Sequence, residues 1–198
     1  TPQFAPRFGF FFGAEDLPAI RRRAASPPYR TLMDLLRRRA REAMVFHRTP
    51  EDQIGEYVAF GQIRRIETRL RDWDTYPYHR DAPTIAFVGL IDEDAEMLRF
   101  AARIAISLCH SRSWRPHHMQ DFPGSTWDIR AFPEAQIAGG IALALDWAGG
   151  WFTDAGEHLV RYNVTHKALG RIRGIFLQYD YMWDCNQSHM IAMGRLLA

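Results

Sequence analysis

The stretch from Ala135 to Trp147 constrains the fold more than any other, because its side chains are small and apolar on nearly every side of a helix. A helix without a polar face is buried among other helices or within a membrane. This run is shorter than the roughly 20 apolar residues that cross a bilayer. The sequence therefore predicts a helix enclosed by other helices, with Pro133 and Glu134 in its first turn and Gly149-Gly150 after its end.

Helical spacing is the dominant pattern in the N-terminal half as well. A helix is predicted from about Glu15 to Ala25, and Ser26-Pro27-Pro28 stops it. The next helix has apolar positions three and four residues apart, and a third begins at the N-cap Thr49 and Pro50. The apolar stripe of the second helix comprises Tyr29, Leu32, Met33, Leu36 and Ala40, and the arginines outside it, Arg37, Arg38, Arg39 and Arg41, are predicted to form a solvated face.

The middle of the chain alternates between loop and helix patterns. Asp72 to Pro83 is rich in aspartate, tyrosine and proline and is predicted to be a loop. Thr84 to Ile91 is apolar, and helix is preferred over strand because few of its residues are β-branched. Asp92-Glu93-Asp94 opens a helix over Met97 to His110. A long loop, rich in aromatic and polar residues, then reaches Phe132, and long ordered loops often line a site.

Helix patterns also fill the C-terminal part, from Thr153 to about Leu169, from Arg171 to about Tyr181, and after an N-cap at Asp184. Apart from an opening extended segment, Phe8 to Gly13, no strand pattern appears. The predicted class is all-α, built of antiparallel helical hairpins. The last helix has an apolar stripe but no C-terminal cap, so we expect residues 1–198 to be the N-terminal part of a longer protein.

Charge and composition exclude several classes of partner. The 25 basic and 23 acidic side chains give a net charge of +2, unlike the strongly basic surface of a duplex-DNA-binding protein. No membrane span and no signal peptide is predicted. Lys167 is the only lysine, which a GC-rich coding sequence explains most simply. Cys109 and Cys185 are too few for a disulfide-built fold, and the redox compartment stays open.

A polar cluster at the start of the last helix is the first candidate site. Asn186 and His189 are three residues apart and share a side of the helix, where free N–H groups favour a bound carboxylate. An amide and an imidazole there could bind the carboxylate of a uronic acid. The alternative is structural: Asn186 and Gln187 cap the helix, and His189 lies at the edge of the core.

The loop before Phe132 holds the second set of candidates. Trp114 and Trp127 could stack on sugar rings, or could belong to the core. The adjacent pair His117 and His118 lacks further ligands at metal-binding spacing, so no metal site is predicted. Three carboxylates could supply a glycosidase acid and base, but sequence spacing does not pair them; they are Asp128, Glu134 and Asp146.

Three short stretches carry a resemblance to a known family. They are Pro6 to Arg21, with its phenylalanine-rich turn; Trp127 to Glu134 followed by Ala142 to Trp147; and Trp183 to Asn186. In this order they resemble heparinase II/III-like polysaccharide lyases, which include heparin, heparan and alginate lyases. The matches are short but span most of the chain.

This resemblance implies an incomplete (α/α) toroid, followed by antiparallel β-sheet domains that this chain lacks. It implies cleavage of a uronic-acid polysaccharide by β-elimination, with Asn186 and His189 as catalytic residues. In this chain Gln187 and Ser188 separate them, whereas some members have histidine directly after asparagine. Because the family's catalytic tyrosine lies beyond Ala198, this chain alone is expected to bind weakly and turn over little. The implied substrate-binding residues are Trp114, Arg115, His117, His118, Trp127, Tyr181, Trp183 and Gln187.

The expected partners are an acidic polysaccharide and the missing β domains of the same protein, without nucleic acid or membrane. No cofactor is expected in this chain, although the resemblance leaves room for a structural metal in a β domain, and it implies a periplasmic or secreted location. Three alternatives stay open. They are a uronyl C5 epimerase, a glycoside hydrolase on a similar toroid, and a non-catalytic helical scaffold.

Overall fold

A computed structural model describes residues 4–48, 76–115 and 131–178, together with 191, 192 and 194. All regular structure in these ranges is helical, so the all-α prediction is confirmed for this part of the chain. The helices are α1 (Leu17–Ala24), α2 (Tyr29–His47), α3 (Tyr76–Asp92), α4 (Ala95–His110), α5 (Phe132–Trp147), α6 (Asp154–Asn163) and α7 (Gly170–Gln178). Short 3₁₀ turns cover Ala14–Asp16 and Gly149–Trp151.

Helix α3 lies at the centre and packs against α2, α4 and α5. Its apolar run is buried, as at Ile85 and Val88, and α5 is buried around most of its circumference, as at Ile137 and Ile141. The predictions of a helix at Thr84 to Ile91 and of an enclosed helix from Ala135 to Trp147 are confirmed. The all-round apolar pattern of α5 arises because it has protein on every side.

The start of α3 differs from the sequence prediction. A loop is predicted over Asp72 to Pro83, but the helix begins at Tyr76 and contains Pro83. Proline has no N–H to donate to the carbonyl of residue 79, four positions earlier, and an interior proline costs about 3 kcal/mol. Burial of Ala82, Ile85 and Ala86 offsets this cost. Local residue preference is therefore overridden by packing.

Helix α2 is buried along one face by Met33, Ala40, Ala43, Met44 and His47, whereas Tyr29 and Leu32 are 52% and 55% exposed. The predicted stripe is therefore wrong at its N-terminal end. Both residues share the buried face of the wheel, but nothing in the described part of the chain covers the first turn of α2. Arg38, Arg39 and Arg41 are exposed, as predicted, whereas Arg37 pairs with Asp92 at the end of α3.

The C-terminal helices form one continuous run. Helix α6 passes through a π-helical segment, Val164–Leu169, directly into α7. The predicted break near Gly170 is therefore wrong, because that glycine continues the helix. The helix predicted from Pro50 lies outside the described residues, as does most of the one predicted from Asp184. No helix among the described residues is long and apolar enough to cross a membrane.

The opening phenylalanine-rich segment is irregular rather than a strand, and it is held by polar contacts. The backbone N–H groups of Phe8, Gly9 and Phe10 donate to the Asp146 carboxylate at 2.6, 3.0 and 3.2 Å. Phe12 stacks on Trp147, with ring centroids 6.1 Å apart. Three side chains of this apolar segment, those of Phe8, Phe10 and Phe11, are 40%, 44% and 60% exposed.

Candidate functional site

Three charged side chains from distant parts of the chain meet at one end of the helices. Arg115 follows α4, Glu134 is in the first turn of α5, and Arg171 begins α7. The Glu134 Oε1 atom is 2.9 Å from Arg171 Nε and 3.7 Å from Arg115 Nε. The Glu134 side chain is only 1% exposed, whereas those of Arg115 and Arg171 are 22% and 32% exposed. We call these three residues the Glu134 cluster.

Burial dominates the electrostatics of the Glu134 cluster. Desolvation raises the pKa of Glu134, and the charge of Arg171, the helix-start backbone N–H and the charge of Arg115 oppose it. Burial and the neighbouring Arg171 lower the pKa of Arg115, and Glu134 opposes this. The 2.9 Å contact between Arg171 Nε and Glu134 Oε1 is an ion pair. Desolvated charges of this kind are concentrated at functional sites.

Two of the cluster residues adjoin one of the stretches that hold the other predicted site residues, and the third begins the helix that precedes the other stretch. Arg115 directly precedes residues 116–130 and Glu134 follows them closely, while α7 ends just before residue 179. Gly194 returns to the same place, because a Cβ built on it would lie 2.6 Å from the carbonyl carbon of Ala135. The predicted residues outside the described ranges are His117, His118, Trp127, Tyr181, Trp183, Asn186, Gln187 and His189.

Trp114 is described, and it belongs to the hydrophobic core. Its side chain is 1% exposed, and its indole N–H donates to the Leu108 carbonyl at 2.8 Å. A stacking platform for a sugar needs an exposed ring face. The structure therefore favours a core role for Trp114 over its predicted role in substrate binding. Among the described residues that were predicted for the site, Arg115 belongs to the Glu134 cluster.

The end of α4 is closed by Lys167, whose ammonium donates to the carbonyl oxygens of Cys109 and Ser111, both at 2.6 Å. Burial raises the pKa of Cys109 to about 12, while the charge of Lys167 opposes the shift. Because the thiolate is the reactive form, Cys109 is unsuited to nucleophilic chemistry at neutral pH. It is a structural residue, while Cys185 lies outside the described ranges.

Asp146 is a candidate for a glycosidase acid or base by residue type, but the structure gives it another role. It is fully buried, and its carboxylate oxygens accept three backbone N–H groups of the opening segment. A general acid or base must reach the substrate, so these contacts remove Asp146 from that role. Asp128 lies outside the described ranges, which leaves Glu134 as the described carboxylate of the hydrolase hypothesis.

Sequence reasoning missed Arg171. The sequence predicts separate helices on either side of Gly170, and no spacing in it pairs Arg171 with Glu134. No group of three or more histidine, cysteine, aspartate or glutamate side chains in the described ranges is placed to hold a metal ion. No protein-family model, curated protein or solved structure matches this chain.

Replacing Glu134 by glutamine should change how stability depends on pH. Because the folded-state pKa is raised above 4.5, the stabilisation from this carboxyl is full in acid and is lost as the pH rises through the folded pKa. Glutamine resembles the protonated acid, so Glu134→Gln should gain stability relative to wild type with rising pH. The gain should be roughly 1.4 kcal/mol for each pH unit that separates the folded-state pKa of Glu134 from its unfolded-state pKa.

Urea unfolding followed from about pH 4 to about pH 8 measures this difference. Replacing the exposed Glu15 by glutamine is the matched control, and its unfolding curve should follow that of wild type. If Glu134→Gln instead loses stability relative to wild type as the pH rises, attraction by the two arginines outweighs burial.

Proposed function

We propose that this chain is part of a polysaccharide lyase that cleaves a uronic-acid-containing glycan by β-elimination. The observation that supports the proposal is the Glu134 cluster, in which Arg115 and Arg171 lie beside Glu134, next to the position where Gly194 packs against Ala135. Guanidinium groups bind carboxylates through paired N–H donors. We propose that Asn186 and His189 lie near this cationic cluster, an arrangement that would suit a polymer with one carboxylate on each uronate.

A second observation supports the resemblance on which the proposal also rests. Phe8 to Phe10 belongs to its first stretch and Asp146 to its second, and three hydrogen bonds join them. These two stretches are therefore parts of one structural unit. Helices α3 and α4, connected by Glu93 and Asp94, pack together as a helical hairpin. We propose that such hairpins form the N-terminal part of an (α/α) toroid that β-sheet domains follow.

In the proposed reaction, Asn186 and His189 bind the sugar carboxylate and stabilise the negative charge that develops when the C5 proton leaves. A histidine or tyrosine base takes this proton, its electron pair forms the C4–C5 double bond, and the C4–O4 bond breaks. The departing O4 oxygen is protonated. Arg115 and Arg171 contribute positive potential near the same charge. The proposal assigns no cofactor to this chain and places the enzyme where acidic polymers occur, in the periplasm or outside the cell.

The test is to incubate the full-length protein separately with heparan sulfate, hyaluronan and alginate and to record the absorbance of the unsaturated uronate. We expect absorbance to rise with at least one glycan, and Asn186→Ala and His189→Ala each to lower the rate by about 100-fold or more. His158→Ala, exposed on α6, is the matched control and should retain wild-type activity.

Each alternative has its own product. Saturated new chain ends would identify a hydrolase, and deuterium uptake at C5 without shortening of the chain would identify an epimerase. If no acidic glycan is changed, or if both variants keep full activity, the lyase proposal and its site assignment are wrong and the scaffold hypothesis gains.

A further inference from the structure

A groove lies between α4 and α6, built from residues other than those of the Glu134 cluster. Its volume is about 550 Å³, and its lining is mostly apolar, with contributions from Ala102, Ile106, Phe152 and Leu159. The turn after α5 adds the ring of Trp151. Sites for small molecules commonly have volumes of about 300–1,000 Å³, apolar walls and a few polar groups that orient the ligand. The size and lining of this groove match that description.

The charged side chains that line the groove in the described part of the chain are both basic. Arg99 and Arg103 lie one helical turn apart on α4, and none of the described lining side chains is acidic. The Arg99 guanidinium lies over the Trp151 ring, 5.1 Å from its centroid, and its Nε–H donates to the Ala95 carbonyl at 3.3 Å. Of the two acids in the first turn of α6, Glu157 pairs with Arg7 and Arg161, and Asp154 is exposed and is not among the lining residues. Stacking on an aromatic ring leaves the two terminal NH₂ groups of an arginine able to donate to an anion, even where its Nε–H is bound to the backbone.

We propose that this groove binds a small amphiphilic carboxylate, with its alkyl or aryl body between α4 and α6 and its carboxylate at Arg99. Burial of the apolar body supplies the attraction, and the guanidinium selects the acid over a neutral or cationic molecule of the same shape. This inference is independent of the proposed lyase activity.

The residues that line the groove suit an amphiphilic carboxylate better than a sugar. Apart from backbone groups, the neutral polar groups of its described lining are the hydroxyls of Ser107 and Thr153 and the indole N–H of Trp151, whereas a sugar ring presents several hydroxyl groups that each need a partner when buried. The groove is therefore assigned to an amphiphile and not to the glycan of the proposed reaction. A protein segment carrying an acidic residue is the competing occupant, and it is an outcome of the test.

The experiment is isothermal titration of the chain with decanoate, decan-1-ol and decyltrimethylammonium, each below the concentration at which it forms micelles. We expect decanoate to bind at least about tenfold more tightly than the alcohol, since a charged hydrogen bond is worth that much or more. The ammonium should bind most weakly. Arg99→Ala should remove the preference for the acid, and Arg38→Ala, an exposed arginine on α2, should not change it.

A second variant tests the location without removing charge. Ala155 is exposed and lines the groove, so Ala155→Phe should leave the melting temperature nearly unchanged while lowering the affinity for decanoate about tenfold. Equal affinities for decanoate and decan-1-ol, or an Arg99→Ala variant that keeps the preference, would overturn the proposal. So would tighter binding of an acidic amphipathic peptide than of decanoate, because the groove would then be a docking surface for protein.

Discussion

Replacing Gly140 by alanine should destabilise the fold by about 2 kcal/mol, even though alanine is the better helix former. Gly140 lies in α5 where that helix touches α3, and a Cβ there would be 2.8 Å from the Cα of His79. The obstacle is backbone, which cannot rotate away as a side chain can, so the two helices must separate. Pro83 contributes to the same contact, because it has no N–H to donate to the carbonyl of residue 79.

Gly174 offers the matched control for this substitution. It is in α7, and a Cβ built on it meets no atom of the described residues within 4 Å. Gly174→Ala should therefore stabilise the protein by about 0.5–1 kcal/mol through helix propensity and the reduced freedom of the unfolded chain. Urea unfolding measures both variants. If Gly140→Ala stabilises the protein as Gly174→Ala does, α3 and α5 are not in backbone contact.

Replacing Asp146 by asparagine should cost about 3 kcal/mol, which for a chain of this size lowers the melting temperature by roughly 6–12 °C. The carboxylate accepts three backbone N–H groups while fully buried. An asparagine amide has one acceptor oxygen, and its NH₂ group would face donors that it cannot satisfy. The opening segment should detach, so limited proteolysis should cut near Phe11 well before the rest of the chain.

Asp154→Asn is the control, because Asp154 is an exposed acid in the first turn of α6. Its loss should cost only a few tenths of a kcal/mol through the helix dipole. Unchanged melting and unchanged cleavage near Phe11 in Asp146→Asn would mean that the aromatic contacts of Phe12, and not the carboxylate, hold the opening segment.

The spacing of apolar residues predicts those helices whose ends and buried face are determined by their own sequence. The boundaries of α4 follow from its N-cap, because the Asp94 side chain accepts the N–H groups of Glu96 and Met97 at 2.9 and 3.1 Å. The start of α3 and the continuity at Gly170 could not be predicted in this way. In both cases a residue that usually ends a helix is retained within one, and for α3 the burial that permits it depends on helices distant in sequence.

The candidate site shows the same division. Arg115 can be predicted as a site residue because it lies in a loop rich in aromatic and polar residues. Arg171 cannot, because it meets Glu134 only where the folded chain brings residues 37 positions apart into contact. Asp146 shows the converse error. Residue type suggests an acid–base role for it, but its position next to the opening segment makes it a structural acceptor. The residue type shows which chemical roles a side chain could have, but only the fold shows which side chains contact one another.

The rate at which Lys167 is chemically labelled can report how often the end of α4 opens. It carries the only lysine amine in the sequence, and that amine is engaged by two backbone carbonyls. Acylation requires a neutral, accessible amine, so a reagent must wait until those contacts open. The labelling rate of a lysine-directed dye therefore measures how often the contacts of Lys167 with the Cys109 and Ser111 carbonyls open. No other lysine side chain contributes to the measured rate.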